Sequence, residues 1–190
     1  MKRSSIFLAG LVCFAVFTKA MANDFEAALS KDTAQFTFRS DSSLIGWGGA
    51  DFSLGLFYNE ASDFLLQASL LQMRQASEQN PLTFGVGVTA YLGSLDDINS
   101  DLVAFGIGGE VRYTIPGTMP MAVYFRGYYA PEITSFADAD SILDYQFGFQ
   151  IEALPQTTAF IGIRHLEIDT RGMDYLAADD ELFIGVRLTF

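Results

Sequence analysis

From Leu82 to Leu92 the chain alternates without a break. Leu82, Phe84, Val86, Val88, Ala90 and Leu92 share one parity, and Thr83, Gly85, Gly87, Thr89 and Tyr91 share the other. Successive side chains of a strand point to opposite sides of its sheet, so this segment reads as a strand with one greasy face and one small, mostly polar face. Three further segments repeat the pattern. Val103, Phe105, Ile107, Val111 and Tyr113 oppose Ala104, Gly106, Gly108, Glu110, Arg112 and Thr114. Leu143, Tyr145, Phe147, Phe149 and Ile151 oppose Asp144, Gln146, Gly148, Gln150 and Glu152, and Ile184, Val186, Leu188 and Phe190 oppose Gly185, Arg187 and Thr189.

A soluble sandwich also alternates, with its apolar face inward. Two features separate the cases. The non-greasy face is crowded with glycine (Gly55, Gly85, Gly87, Gly106, Gly108, Gly148, Gly162, Gly185), which weakens a strand unless something must approach closely, as inside a narrow closed barrel. The greasy face ends in rings at Tyr58, Tyr113, Tyr129, Tyr145 and Phe190, where a membrane interface favours amphipathic aromatics. The pattern predicts an all-β, transmembrane, antiparallel up-and-down β-barrel.

All five prolines (Pro81, Pro116, Pro120, Pro131, Pro155) fall between the predicted strands, as a residue without a backbone donor should. Strands are expected at about 46–59, 63–77, 82–93, 102–114, 121–130, 141–153, 158–169 and 180–190. Short connections (SEQNP, IPGTMP, LPQT) alternate with longer acidic ones (GSLDDINSD, PEITSFADAD, TRGMDYLAAD), with NEAS as an exception. Outer-membrane barrels alternate short periplasmic turns with longer outside loops, so both termini are expected in the periplasm. In NDFEAALSKDTAQFTFRSDS, Phe25, Ala27 and Leu29 alternate, as do Ala34, Phe36 and Phe38, around Lys31-Asp32. Read as a hairpin, this stretch gives ten strands, the favoured count. Eight strands plus a separate N-terminal hairpin is the alternative, because arms of about seven residues fall short of the ~9–11 that span a bilayer.

The first residues change the compartment. Lys2 and Arg3 precede an uncharged, mostly apolar run from Ile6 to Phe17, and Ala20 and Ala22 supply small residues at a peptidase site. Residues 1–22 are therefore expected to be a signal peptide cleaved after Ala22, leaving one barrel domain over 23–190. Cys13 would leave with the signal, so the mature chain is expected to have neither disulfide nor thiolate metal site. Cleavage keeps eight of the eleven basic residues and all 23 acidic ones, a net charge of −15, which argues against nucleic acid as a partner.

The inward set contains Glu110, Arg112, Arg126, Asp144, Glu152, Arg164 and Arg187. Charges inside a barrel must be paired or wet. They are expected to form a satisfied network in a side-chain-filled interior, with a narrow polar path for ions or small solutes as the alternative. A hairpin centred on Thr118 would set Glu110 directly opposite Arg126.

The stretches RGYYAPEITSFADAD (Arg126 to Asp140), FIGIRHLEID (Phe160 to Asp169) and ELFIGVRLTF, ending on Phe190, resemble those of YfaZ-like outer-membrane proteins of Gram-negative bacteria. The resemblance implies a small outer-membrane barrel and no established activity. Gly185, Leu188 and Phe190 further resemble the C-terminal signal read by the barrel-assembly machinery, although Phe183 stands where many such signals carry a polar residue. The expected partners are outer-membrane lipid including lipopolysaccharide, periplasmic chaperones and the assembly machinery.

Catalytic chemistry has little to start from. His165 is the one histidine; it shares parity with Ile161 and Ile163, which puts it on the lipid side near the outer interface. Glu167 and Thr170 lie nearby, but no serine motif accompanies them, so a lipid-active enzyme ranks third. DDINSD spaces Asp97, Asn99 and Asp101 like the start of a calcium loop, yet Leu102 replaces the turn glycine and no glutamate closes it. No catalytic residue, metal site or cofactor is expected.

Overall fold

The computed structural model describes residues 23–41, 49–60, 63–76, 80–95, 100–170 and 179–190. The expected signal, 1–22, lies outside them. The strands are β1 (Asp24–Leu29), β2 (Thr33–Asp41), β3 (Asp51–Asn59), β4 (Phe64–Gln75), β5 (Leu82–Leu95), β6 (Ser100–Ile115), β7 (Met121–Ala130), β8 (Ser135–Ala137), β9 (Ala139–Leu154), β10 (Thr157–Thr170) and β11 (Asp179–Thr189). Ten of them, all except β8, close into one antiparallel meander, because β5 pairs with β6 and β1 pairs with β11. The N-terminal hairpin belongs to the wall, so the ten-strand count holds, and β1 is indeed short.

Register partners followed once around the wall run Leu82, Tyr113, Val123, Phe149, Ile161, Ile184, Leu29, Ala34, Tyr58, Phe64 and back to β5 at Ser94. The stagger is 12 residues, from Leu82 to Ser94, over ten strands. With ~3.3 Å per residue and ~4.8 Å between strands, this gives a tilt of about 40° and a radius of about 10 Å. Such a lumen is one that side chains can fill.

The greasy face points outward. Val86 is 72% exposed and Ile107 70%, with Phe84, Val88, Phe105, Phe147, Ile184 and Leu188 also exposed. Ten residue steps from Leu82 to Leu92 at that tilt rise about 25 Å, the height of a lipid-facing band. The inward glycines permit close approach. A Cβ on Gly108 would meet Tyr128 Cα at 2.7 Å, against the neighbouring strand's backbone.

Three connections differ from expectation. The strand expected from residue 46 begins at Asp51; residues 42–48 lie outside the described set. The strands flanking GSLDDINSD extend into it, to Leu95 and from Ser100. PEITSFADAD is not a plain loop. β7 leaves β6 at Tyr129, opposite Ile107, and the chain turns through a 3-10 segment at Glu132–Thr134. It then re-pairs with β6 as β8, from Ser135 opposite Ala104. β8 thus resumes β7 after a bulge of five residues facing two, and a β-bulge re-aims side chains in this way.

Candidate functional site: the barrel interior

The inward face is layered. At mid-barrel, two glutamates each hold two arginines. Glu110 Oε2 accepts from Arg126 Nε at 2.8 Å and Nη2 at 2.6 Å, and its Oε1 accepts from Arg112 Nη2 at 2.5 Å. Glu26 accepts from Arg187 Nε at 2.5 Å and from Arg39 Nη2 at 3.1 Å. Both carboxylates are buried, where charge-assisted bonds are strong and a lost partner is costly. These bonds tie β6 to β7, and β1 to both β2 and β11.

One level further from the termini, Tyr91 donates its hydroxyl to Asp144 Oδ2 at 3.0 Å, and Gln67 Nε2 reaches the same oxygen at 3.2 Å. The Arg164 guanidinium lies 5.1 Å from the Phe183 ring centre and 5.6 Å from that of Phe57. Of the charged residues expected inside, Glu110, Arg112 and Arg126 meet directly, while Arg187 pairs with Glu26 instead. Glu152, near the end of β9 at the termini rim, joins none of these pairs.

Glu26 and Arg39 were not among the expected charges. The signal was present, since both occupy the parity opposite Phe25, Ala27, Phe36 and Phe38 in the N-terminal hairpin.

The layer furthest from the termini is apolar. Phe57, Leu65, Tyr91, Leu102, Ala104, Ala130, Ala139, Ile142, Leu166 and Ile168 form one contiguous buried cluster drawn from β3, β4, β5, β6, β7, β9 and β10. Leu102 is 2% exposed, Ile168 1% and Ile142 0%. The interior is therefore polar over only part of its length. In FIGIRHLEID the switch is visible residue by residue. Ile161 and Ile163 point outward around inward Arg164, and then His165, Glu167 and Asp169 share the outward face while Leu166 and Ile168 turn in. Outside the apolar band the exterior meets water, and the ordinary inside-apolar rule returns.

His165 faces outward at this boundary, with its side chain 20% exposed. It stacks on Tyr145 at 4.8 Å, and its two ring nitrogens lie 3.3 Å from Asp180 Oδ1 and Glu167 Oε2. Thr170 lies on the opposite, inward face of β10, so the two cannot form a nucleophile and base pair. Asp97 and Asn99 of the calcium-like stretch lie outside the described residues. Among the described residues no group of three or more His, Cys, Asp or Glu is arranged to hold a metal.

The family described as YfaZ precursor matches residues 4–190. The chain belongs to that family. No curated protein matches it. Among solved structures it is similar to the crystal structure of the outer membrane channel DcaP of Acinetobacter baumannii, at 11% identity and a TM-score of 0.41. The similarity covers 87% of this chain and 54% of the channel, so the chain spans about half of that protein's length. At that identity and score the channel lends no argument about conduction here.

Proposed function

We propose that this YfaZ-family chain is an outer-membrane β-barrel that does not pass solutes, a structural wall protein whose lumen is filled by its own side chains. The observation that carries this reading is the apolar cluster across seven strands, packed around Leu102, Ile142, Leu166 and Ile168. Water and ions need polar partners along a path, and a packed aliphatic layer supplies none. The outward apolar band and the signal-like N-terminus support placement in the outer membrane. The alternation of connection lengths supports termini in the periplasm, with the apolar layer at the outer rim.

A narrow channel is the second reading. One observation favours it: a polar space with room for on the order of three waters, partly open to solvent, lined by Thr37, Arg39, Ser53, Glu110, Arg112 and Arg126 among others. It lies below the apolar layer, so it reads as a blind cup. A lipid-active enzyme has less support, because the nitrogens of His165 are occupied and Thr170 faces away from it. The experiment is solute efflux from proteoliposomes loaded with small sugars and salts. Rates equal to protein-free vesicles support the closed barrel, and size-dependent release would establish the channel.

A further inference from the structure

Glu26 and Glu110 between them hold four arginines: Arg39, Arg187, Arg112 and Arg126. Two carboxylates offset two guanidiniums, so the group keeps a surplus of two positive charges. Arg39 lies within electrostatic reach of both Arg126 and Arg187, so like charges crowd at the centre. The wall around them is the apolar band, with outward Phe36, Val111, Phe125 and Val186. Such a wall screens poorly, and buried charge needs a counter-charge close by.

Three other inward charges line the cavities at these arginines, Asp51 and Asp144 the larger and Arg164 the smaller, so five arginines face four carboxylates and a surplus of one positive charge remains. Asp144 and Arg164 lie one level further from the termini and offset each other. Asp24, Asp41, Asp51 and Glu152 ring the termini rim, where water reaches them. Asp51 is the nearest of these, within electrostatic reach of Arg39 and Arg112, and it is exposed.

Two cavities meet at the four arginines. Both are lined by Gln35, Thr37, Arg39, Arg126 and Gln146; one adds Arg112 and Glu110, the other Arg187 and Glu26. The larger has room for on the order of three waters, which suits an ion and excludes a sugar. The Nε–H of Arg112 is buried and has no hydrogen-bond acceptor among the described residues.

We propose that these four arginines bind a small inorganic anion of chloride size, held where Arg39 and Arg126 face one another and reached from the termini rim. The anion would offset the one remaining charge and accept hydrogen bonds from guanidinium and amide donors. The inference goes beyond the closed-barrel reading and is independent of whether the lumen conducts.

The test uses the full mature barrel, refolded in detergent with chloride, bromide or gluconate at one fixed ionic strength. Chloride and bromide should raise the unfolding midpoint saturably, by at least ~3 °C over gluconate, which is too large to enter. Chloride-35 NMR lines of the wild-type barrel should broaden, and bromide should compete that broadening away. Arg112→Gln should weaken the competition at least ~5-fold, since one charge and the free donor are gone. If Arg112→Gln does not fold, the wild-type midpoints and line widths still decide. Equal midpoints in all three salts overturn the proposal, and so does broadening unchanged in Arg112→Gln, which would mark an adventitious ion only.

Discussion

Arg126 donates both its Nε and Nη2 hydrogens to a single carboxylate oxygen, Glu110 Oε2, straight across the β6–β7 hairpin. The other oxygen, Oε1, is left for Arg112. This asymmetry orders the consequences of mutation. Glu110→Ala strands two guanidiniums inside an apolar wall, whereas Arg126→Ala leaves Glu110 with a partner. Glu110→Ala should cost about 3–5 kcal/mol and Arg126→Ala less, and the double mutant should lose at least ~1 kcal/mol less than the sum. Urea unfolding of the refolded barrel measures all three. Additive losses would mean that the pair does not interact in the folded protein.

Close approach between β6 and β7 gives a second test. Gly108 faces inward with Tyr128 as register partner, and a methyl there meets backbone. On the outward face of the same hairpin, a Cβ at Gly127 finds ordinary contacts from 3.5 Å outward. Gly108→Ala should destabilise by about 1–3 kcal/mol, and Gly127→Ala should stay within ~0.5 kcal/mol. The same unfolding assay compares them, and equal effects would contradict this packing.

Much of this was legible in the sequence, for a physical reason. A strand period of two assigns every residue to a face, so the outward band and the inward charges followed from parity. The turn centre at Thr118 then set Glu110 against Arg126. The same rule places Glu26 and Arg39 inward, opposite the apolar parity of β1 and β2. The inner apolar layer was less accessible, because parity gives the face and not the medium outside it. The inversion at His165-Leu166 marks where that medium changes, and one segment alone cannot fix its height. The bulge before β8 was hidden, because Pro131 signals a break without saying that pairing resumes four residues later.

That bulge displays an apolar tip. Ile133 is 84% exposed on a turn fixed by Thr134 Oγ1 to the Phe105 carbonyl at 2.6 Å and Ser135 Oγ to the Pro131 carbonyl at 3.0 Å. The turn is thereby anchored to outward-facing Phe105 of β6, at the end of the apolar band. In a Trp47→Phe background, the Ile133→Trp indole should emit blue-shifted and be quenched by lipids brominated near the headgroup. Quenching by aqueous iodide instead would place this turn in water.

The β1–β11 seam has six register pairs and ends in reciprocal backbone bonds, Asn23 N to Phe190 O at 3.0 Å and Phe190 N to Asn23 O at 2.9 Å. Deleting Phe190 removes these bonds together with the aromatic ring, while Phe190→Ala removes the ring alone. If the ring is an assembly signal, both variants should lower the heat-modifiable folded fraction in cells and leave cleavage after Ala22 intact. A normal folded fraction for Phe190→Ala would assign the residue to the seam only.

The closed lumen is tested most directly by single-channel recording of the purified barrel in planar bilayers. The wild type should insert and give no steps above the bare membrane. A variant with Leu102, Ile142 and Leu166 all changed to glycine, opening the apolar layer, should give discrete conductance under the same conditions. Steady steps from the wild type, unchanged in that variant, would contradict a barrel sealed by its own side chains.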